Sequence, residues 1–488
     1  MHNEEIFTPK ATVELMLDTV GYTDDCNNLE ESPIIKKHIL DNSCGKGAFL
    51  LVAVERYVNT ALIYGLDRTE ICSDLGQYFH GIDINNAFVV ETIIRLQDLV
   101  RKLLGNDCPM VIWDINAADN LLSSLYDGKM DYIVGNPPYC KIHDIANRDI
   151  YSDYQFIKGG MTDIYLAFCE KSFKQLAWNG KLCYITPSSW LTSKAGRMMR
   201  KHIVANGTLQ KIIQCGHTPM FKGVTTFTVI SVFCEGAIRR NDFQWRTINS
   251  DQWHTTDLLP IPFDDRFFLL EDDEKNMFEQ MSQEPLSRKV LVKNGFATLN
   301  DKFFLVNSGT VVPDHCIPVV KASTGKHNGQ MFYPYDKNNK LLAQEDLTGI
   351  DVAYMEIHRE ASKKPIDVNN INWYQFGRTQ AIKDTYKDKV TIQSLIKDDK
   401  DVVCTKAPTG TGVYGGLYMV VADQEDRMTE DLMNGAVEAI QSEDFKKYVS
   451  LLGHYKNGGY YTFTSDEAER FVNNWLHQRS NLHQTIYE

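Results

Sequence analysis

The sequence predicts an α/β protein whose first half is a doubly wound, mostly parallel sheet and whose second half is a mixed α+β domain. Up to about residue 234, short apolar strands alternate with segments of helical apolar spacing, a pattern typical of a parallel sheet covered on both faces by helices. From residues 235–251 onward this alternation fades. The length of 488 residues, with 43% hydrophobic residues, suffices for two or three domains with separate cores. We expect two domains, residues 1–244 and 245–488.

Each predicted element rests on apolar periodicity. Strands of the first half are predicted at residues 39–41, 81–84, 111–114, 131–134, 181–185, 212–214 and 227–233. Helices are predicted where apolar residues recur every three or four positions, at residues 49–58, 87–104 and 165–176. In the second half the same criteria predict strands at residues 319–321, 390–395 and 417–421, and helices at residues 429–452 and 465–476.

Composition excludes few functions. The net charge of −13 does not indicate a nucleic-acid-binding protein, yet it does not exclude one, because phosphate binding requires only a local basic surface. The 11 cysteines are scattered without a Cys-x-x-Cys pair, so we expect reduced thiols and no metal site. The acidic start lacks the features of a signal peptide, and no apolar run is long enough to cross a bilayer. We expect a cytoplasmic protein without membrane association.

A glycine-containing turn, residues 41–47, directly follows the first predicted strand. Ligands of doubly wound folds bind at the carboxyl ends of strands, and glycines there permit a tight turn and close approach of a ligand to the backbone. The spacing differs from that of a phosphate-binding P-loop. The candidate ligand contacts in this turn are Asp41, Ser43, Cys44, Gly45 and Gly47.

Two further acids are predicted at the ends of the next two strands. Asp83 closes the second strand, where a carboxylate can accept both hydroxyls of a ribose, and Asp114 closes the third, where it can accept from an adenine amino group. Ile84, the residue after Asp83, is a further candidate contact. Acids at both the ribose and the amino-acid end suit a cofactor with a cationic, phosphate-free tail. S-adenosyl-L-methionine fits this description better than a dinucleotide.

The tetrapeptide Asn136-Pro137-Pro138-Tyr139 ends the fourth predicted strand and is the candidate catalytic motif. Two prolines fix the backbone, so that the Asn136 side-chain oxygen and the Pro137 carbonyl can converge on one point. Two acceptors there would hold an exocyclic amino group and direct its lone pair at a methyl donor, without a strong base. Tyr139 supplies a flat face for stacking on a base that has left the duplex.

These motifs, in this order, resemble the γ class of amino-methyltransferases, and most closely the TaqI-type N6-adenine DNA methyltransferases of restriction–modification systems. The resemblance covers residues 6 to about 234. It implies a Rossmann-like S-adenosylmethionine-dependent domain followed by a DNA target-recognition domain. The implied reaction is methylation of the N6 amino group of a flipped-out adenine in double-stranded DNA, with a separate cognate restriction endonuclease as a possible partner.

The resemblance also assigns roles to residues outside the main motifs. Phe7-Thr8-Pro9 resembles the segment that closes over the methionine part of the cofactor, Ile115 the position that packs on its adenine ring, and Phe168 an apolar position near it. Phe221, in a segment similar to a later motif of the family, corresponds to the aromatic residue that stacks on the flipped adenine from the face opposite Tyr139.

Contacts to DNA are expected from lysine and arginine. The candidates are Lys194, Arg197, Arg200, Lys321 and Arg378. From residue 241 onward the chain has 27 Lys and Arg but 37 Asp and Glu, so the basic residues must be concentrated locally. The glycine-rich residues 409–416 are a candidate for a loop that approaches a partner.

Other functions remain open at this point. The same tetrapeptide occurs in RNA methyltransferases and in methyltransferases that act on protein glutamine. A combined restriction and modification enzyme and a non-catalytic DNA-binding protein are further alternatives. The sequence does not decide between a monomer and a dimer.

Overall fold

The computed structural model describes residues 8–24, 29, 31–159, 161–216, 218, 220, 227–236, 240–257, 266–306, 311–359, 373–397, 400–422, 429–456 and 459–485. The chain forms two compact units, Met1–Glu271 and Asp272–Glu488. The boundary predicted between residues 244 and 245 is too early, because strands at residues 242–247 and 254–257 still pair with the sheet of the first unit.

Unit 1 consists of helices and strands that largely alternate. The helices are α1 (Lys10–Val20), α2 (Ala48–Ile63), α3 (Arg68–Tyr78), α4 (Asn86–Leu104), α5 (Tyr165–Gln175) and α6 (Arg197–Asn206). The strands are β1 (Ile39–Asp41), β2 (Phe79–Asp83), β3 (Asp114–Ala117), β4 (Met130–Gly135), β5 (Leu176–Pro187), β6 (Leu209–Gln214), β7 (Thr228–Cys234), β8 (Asp242–Thr247) and β9 (His254–Asp257).

These strands form one sheet in the order β3-β2-β1-β4-β5-β7-β6-β8-β9. Strands β1 to β5 are parallel, whereas β7 runs antiparallel to both of its neighbours, β5 and β6. The strand order reverses between β1 and β4, which creates a crevice at their carboxyl ends. The predicted doubly wound α/β fold is confirmed.

Apolar cores cover both faces of this sheet. Ile39 belongs to a core that includes residues of α1, α2 and α4, and its neighbour Leu40 to another that includes residues of α5 and α6. Consecutive strand residues point to opposite faces, so a strand buried on both sides is apolar at consecutive positions.

Strand β3 lies three positions later than predicted. The apolar residues 111–113 suggested a strand, but Ile112 is 88% exposed and the Val111 amide donates to the Gln97 side chain of α4 at 3.2 Å. Pairing with β2 begins only at Asp114, which lies opposite His80.

Unit 2 is a mixed α+β structure. Its described helices are α7 (Asp272–Ser282), α8 (Asp301–Phe304), α9 (Gly349–His358), α10 (Thr429–Gln441), α11 (Glu443–Leu451) and α12 (Ser465–Thr485). Its described strands are β10 (Val290–Asn294), β11 (Leu305–Val306), β12 (Cys316–Lys321), β13 (Lys326–Phe332), β14 (Lys389–Ile392), β15 (Leu395–Ile396), β16 (Cys404–Ala407), β17 (Gly412–Tyr414), β18 (Leu417–Val421), β19 (Tyr455–Lys456) and β20 (Tyr460–Thr462).

The strands of unit 2 form three small sheets, in the orders β10-β18-β14-β16, β11-β13-β12-β17 and β15-β20-β19. The single helix predicted over residues 429–452 is divided into α10 and α11, because the Ser442 side chain caps α11 by accepting from the Phe445 amide at 3.1 Å. The predicted strand at 390–395 likewise corresponds to β14 and the start of β15.

In the described ranges, no helix combines the length and apolarity needed to cross a membrane. The same ranges contain no group of three or more His, Cys, Asp or Glu side chains arranged to hold a metal ion.

Candidate active site

The candidate catalytic and ligand-binding segments meet where the strand order reverses. Asp41 ends β1, and Asn136 directly follows β4, the strand that pairs with β1. Both residues therefore lie at the carboxyl edge of the sheet, which is where ligands bind in open α/β folds.

The glycine turn of residues 41–47 is tightly packed on one side and open on the other. The Cys44 amide donates to the Ile82 carbonyl at 2.9 Å, which ties the turn to β2. Gly47 caps α2 with φ +79°, and a Cβ there would lie 2.8 Å from the Thr92 side chain, so only glycine fits. A Cβ at Gly45 would meet no described atom within 4 Å, which leaves space above the turn for a ligand.

Asp83 links the turn to the end of β2. One of its carboxylate oxygens accepts from the Gly45 amide and the other from the Asn85 amide, each at 2.8 Å. Ile84 follows with 75% of its surface exposed. Carboxylate oxygens can accept from ribose hydroxyls, and an exposed apolar side chain beside them can contact the face of an adenine ring.

Asp41 is a buried carboxyl group beneath this turn. It is 1% exposed, and it accepts from the Ser43 amide at 3.2 Å. Burial raises its pKa to about 8, to which the charge of Asp83 contributes, while the bond from the Ser43 amide acts in the opposite direction. Gly135, the last residue of β4, is so close that a Cβ there would lie 3.0 Å from Asp41 Oδ1.

Asn136 is held by Thr8, which precedes α1, and by Ser43 of the glycine turn. Its amide nitrogen donates to Thr8 Oγ1 at 3.4 Å, and its backbone carbonyl accepts from Ser43 Oγ at 3.4 Å. Its side-chain oxygen is buried and has no hydrogen-bond partner among the described residues. A buried acceptor without a partner costs about 1–3 kcal/mol, so its presence here indicates a place for a donor from a ligand.

Tyr139 presents its ring rather than its hydroxyl. The hydroxyl donates to the Ile185 carbonyl at 2.7 Å, and the ring lies edge-on to Tyr165 with the centroids 6.2 Å apart. Burial raises the pKa of Tyr139 well above its ordinary value, so the phenol stays protonated. Of the two prolines between Asn136 and Tyr139, Pro137 is buried and Pro138 is exposed. Residues 136–140 form neither helix nor strand.

The predicted roles of Asp114 and Ile115 are wrong, because both lie in the first half of β3. Asp114 pairs with His80, and Ala117 rather than Asp114 lies opposite Asp83, which puts Asp114 about 10 Å from the carboxyl edge. The side chain of Ile115 is buried in the core, where it fills the space above Gly81.

Asp114 instead belongs to a polar chain at the amino end of the sheet. His80 Nδ1 donates to the Asp114 carboxylate at 2.7 Å. His80 Nε2 lies 2.8 Å from Nδ1 of His38, the residue that precedes β1. Asn116 donates to Asp114 at 2.8 Å and to Tyr126 at 2.8 Å. The hydrogen bond from His80 lowers the pKa of Asp114. This arrangement stabilises the sheet.

Asp119, which sequence reasoning missed, occupies the place expected of Asp114. It follows β3 at the carboxyl edge, where the preceding Ala118 amide donates to the Asp83 carbonyl at 3.0 Å. Its side chain accepts from the Leu121 amide at 2.9 Å and from the Tyr151 hydroxyl at 2.7 Å. The signal was the polar pair Asp119-Asn120 after two small residues, which marks a strand end better than the apolar residues 111–113 do.

The remaining predicted contacts have mixed outcomes. Phe7 and Phe221 lie outside the described residues. Phe168 is buried in the core of α5. Pro9 precedes α1 as its N-cap.

The predicted DNA contact of Arg200 is wrong. The side chain is 1% exposed, and its guanidinium donates to the backbone carbonyls of Trp190 and, at 2.8 Å, Ser193. It therefore fixes the turn before α6. Lys194 and Arg197 in the same segment are exposed. In unit 2, Arg378 is exposed and Lys321 is half-buried.

Comparisons with known proteins agree with this geometry. Residues 81–221 match the Eco57I restriction-modification methylase family. Type II methyltransferase M.PaeR7I of Pseudomonas aeruginosa is 28% identical over 244 residues, which are 48% of this chain and 41% of that protein. Type II methyltransferase M.BstVI of Geobacillus stearothermophilus is 25% identical over 415 residues, 73% of this chain and 71% of that protein. The chain thus spans less than half the length of M.PaeR7I.

A solved structure shares the fold. The Type IIL restriction-modification enzyme MmeI, determined in complex with DNA, superposes with a TM-score of 0.62 at 14% identity, covering 94% of this chain and 65% of that one. Residues 81–221 are thus similar to the restriction-modification methylases of the Eco57I family, and the fold of the chain is shared with MmeI.

Proposed function

We propose that this chain is a site-specific DNA methyltransferase that transfers a methyl group from S-adenosyl-L-methionine to the N6 amino group of an adenine flipped out of duplex DNA. The observation that carries the proposal is the buried side-chain oxygen of Asn136, an acceptor without a partner among the described residues. It lies at the end of β4, beside the glycine turn.

The catalytic turn, residues 136–139, would bind the target amino group through hydrogen-bond acceptors. The bond from the Asn136 amide nitrogen to Thr8 leaves the amide oxygen to accept from an exocyclic amino group, and the Pro137 carbonyl can accept its second hydrogen. Two acceptors direct the nitrogen lone pair out of the ring plane, which is an orientational and electrostatic effect. S-adenosylmethionine supplies the electrophilic methyl group.

The aromatic residue of the turn selects a base. Its hydroxyl is engaged with Ile185 and its pKa is raised, so Tyr139 offers neither a base nor an acid to the reaction. The ring can stack on a planar ring, which requires that the base leave the duplex. Phe221, proposed to stack on the opposite face, lies outside the described residues.

The residues at the carboxyl edge fit the cofactor. Asp83 would hold the ribose of the cofactor, and the exposed Ile84 would contact one face of its adenine. The open space above Gly45 would admit the aliphatic chain of the cofactor. Asp119 replaces Asp114 as the proposed contact to the adenine amino group. Asp41 would face the cationic methionine end, with Thr8 closing over it.

Binding of the cofactor should depend on pH through Asp41. With a pKa raised to about 8 by burial, this carboxyl is protonated near neutrality, and a cationic ligand favours its ionised form. Binding then releases a proton, so we expect affinity to fall by up to about tenfold per pH unit as the pH decreases below about 8.

Titration calorimetry in buffers of different ionisation enthalpy measures both the affinity and the released proton. Asp41→Asn should bind more weakly with little pH dependence. Affinity of the unaltered protein that is independent of pH between about 6 and 9 would contradict the assignment of Asp41.

Tyr151 should support cofactor binding through Asp119. Its hydroxyl holds the Asp119 carboxylate at 2.7 Å, so we expect Tyr151→Phe to raise the KM for the cofactor about three- to tenfold with little change in kcat. The matched control is Tyr154→Phe. Tyr154 is equally buried in the same loop, but its hydroxyl donates to the Leu121 backbone carbonyl. Equal effects of the two variants on KM would show a general loosening of the loop instead.

Double-stranded DNA is the proposed second substrate. Lys194 and Arg197 follow the carboxyl end of β5, at the same edge as Asn136, and can contact phosphates. MmeI was solved in complex with DNA and superposes on most of this chain, which supports unit 2 as the target-recognition domain. A separate cognate endonuclease would act on unmethylated sites.

The substrate class is tested by transfer of labelled methyl groups. Purified protein should label duplex DNA, with the label recovered as N6-methyladenine, and leave RNA and protein unlabelled. Label in RNA or on protein glutamine would show that RNA or protein, rather than DNA, is the substrate. Magnesium-dependent cutting of unmethylated DNA would show that the protein also has a restriction activity. Lack of any transfer despite cofactor binding would indicate a DNA-binding protein without catalysis.

A further inference from the structure

Unit 2 combines an acidic composition with long segments that contain no acid. From Asp272 onward the chain has 31 Asp and Glu against 25 Lys and Arg. Yet residues 315–335 contain neither Asp nor Glu, and the same holds for residues 402–422. Acids would repel a phosphate backbone, so two such segments in contact would mark a surface that a polyanion can approach.

The structure brings these two segments together. Strand β12 of the first segment pairs in parallel with β17 of the second, Val320 lying opposite Val413. Thr405 donates to the Gly325 carbonyl at 2.7 Å. Lys321 lies over the Tyr414 ring, 5.9 Å from its centroid, and the Asn328 side chain donates to the Tyr414 hydroxyl.

The hairpin formed by β12 and β13 is anchored at its base, where β13 also pairs with β11, and is exposed in the first five residues of β13. Met331 and Phe332 are buried, whereas all five residues from Lys326 to Gln330 are exposed. A strand against a core would alternate between buried and exposed positions, so this part of β13 is exposed on both faces.

A β-bulge accounts for part of this exposure. Pro318 lies opposite Gln330 and Val320 opposite His327, so two residues of β13 face one of β12. Gly329, within the bulge, has φ +72° and open space around the position of a Cβ. Bulges of this kind bend a strand and redirect the neighbouring side chains.

We propose that the exposed residues 326–330 of the β12–β13 hairpin read base edges in the major groove of duplex DNA, an inference that rests on the proposed function. Strands are among the elements with which proteins read base edges. His327 and Gln330 are exposed donors and acceptors of the types that bind base edges, and Lys326 is an exposed cation that can contact a phosphate. The contacts with Tyr414 and Thr405 hold the hairpin in one orientation. The occupant is double-stranded DNA because residues 326–330 are exposed and polar, and the two segments that meet here carry lysines and contain no acid.

Two variants separate base reading from phosphate binding. The target sequence is first identified by methylation-detecting sequencing of genomic DNA from cells that express the unaltered chain. Gln330→Ala should then methylate sites that differ from this sequence at one base pair, with discrimination at that pair reduced roughly five- to 100-fold. Lys326→Ala should weaken binding to a fluorescent duplex carrying the sequence, and should lower the salt dependence of log K by about one, as expected for the loss of one phosphate contact.

Lys340→Ala is the matched control, an exposed lysine of unit 2 in a turn beside Asp336, and should leave affinity and site unchanged. Thermal unfolding should be the same for these three variants and for His327→Ala, because the altered side chains are exposed. An unchanged target sequence in Gln330→Ala and His327→Ala would overturn the inference. Absence of DNA methylation by the unaltered chain would instead remove the proposed function, and this inference with it.

Discussion

Asn136→Ala is expected to lower kcat for methyl transfer by about 100- to 1000-fold while the Kd for S-adenosylmethionine changes by less than about threefold. The reason is that the buried Asn136 oxygen has no protein partner among the described residues, so its hydrogen bond is formed with the target amino group. The Asn136 oxygen binds the target amino group more weakly in the ground state than in the transition state, in which the hydrogens of that group become more acidic.

Single-turnover kinetics on a methylatable duplex, together with calorimetry for the cofactor, measures the two quantities separately. Asn116→Ala is the control, because Asn116 is a half-buried amide of the same sheet whose hydrogen bonds to Asp114 and Tyr126 lie at the amino end. It should lower the Tm and leave kcat unchanged. If Asn136→Ala retained full kcat, the catalytic turn would lie elsewhere.

Asp83→Ala should weaken cofactor binding, whereas Asp114→Ala should lower stability and leave cofactor binding unchanged. Loss of Asp83 removes the acceptor for the ribose and the bonds that it accepts from Gly45 and Asn85. A charged hydrogen bond is worth about 1.5–3 kcal/mol, so we expect the loss of one such bond to raise the Kd for the cofactor by roughly 10- to 150-fold. Asp114→Ala should leave that Kd within about threefold.

The loss in Asp114→Ala should appear as a decrease of about 1–3 kcal/mol in the free energy of unfolding at neutral pH, because His80 and Asn116 lose their acceptor. The pKa of Asp114 is lowered in the folded protein, so its contribution is present above the ordinary pKa of about 4 and is lost as the pH falls below it. Denaturant unfolding at neutral and acid pH measures this. Weakened cofactor binding in Asp114→Ala would restore the original assignment.

These two acids also show how far the sequence could predict the site. The turn of residues 41–47, Asp83 and the tetrapeptide from Asn136 were predicted correctly at the carboxyl edge, because each directly follows a buried apolar strand, and such strands have a strong signal. The doubly wound fold followed from the same alternation. Each of these features depends on residues that are close together in the sequence.

Other features depended on pairing between distant residues. The position of β3 was wrong because apolar residues 111–113 precede the strand, and only pairing with His80 shows where it begins. Arg200 was predicted to be exposed because charged residues usually are, but its guanidinium satisfies backbone carbonyls of a turn in unit 1. Likewise β8 and β9 join the sheet after a change in composition that suggested a domain boundary.

The central claim is that the chain methylates adenine N6 in duplex DNA through Asn136. The most direct measurement is methylation-detecting sequencing of genomic DNA from cells that express the unaltered chain or Asn136→Ala. We expect N6-methyladenine at one recurrent sequence with the unaltered chain and none with the variant. The same modification with both proteins, methylation of another base, or unmodified DNA from cells that contain folded, cofactor-binding protein would contradict this claim.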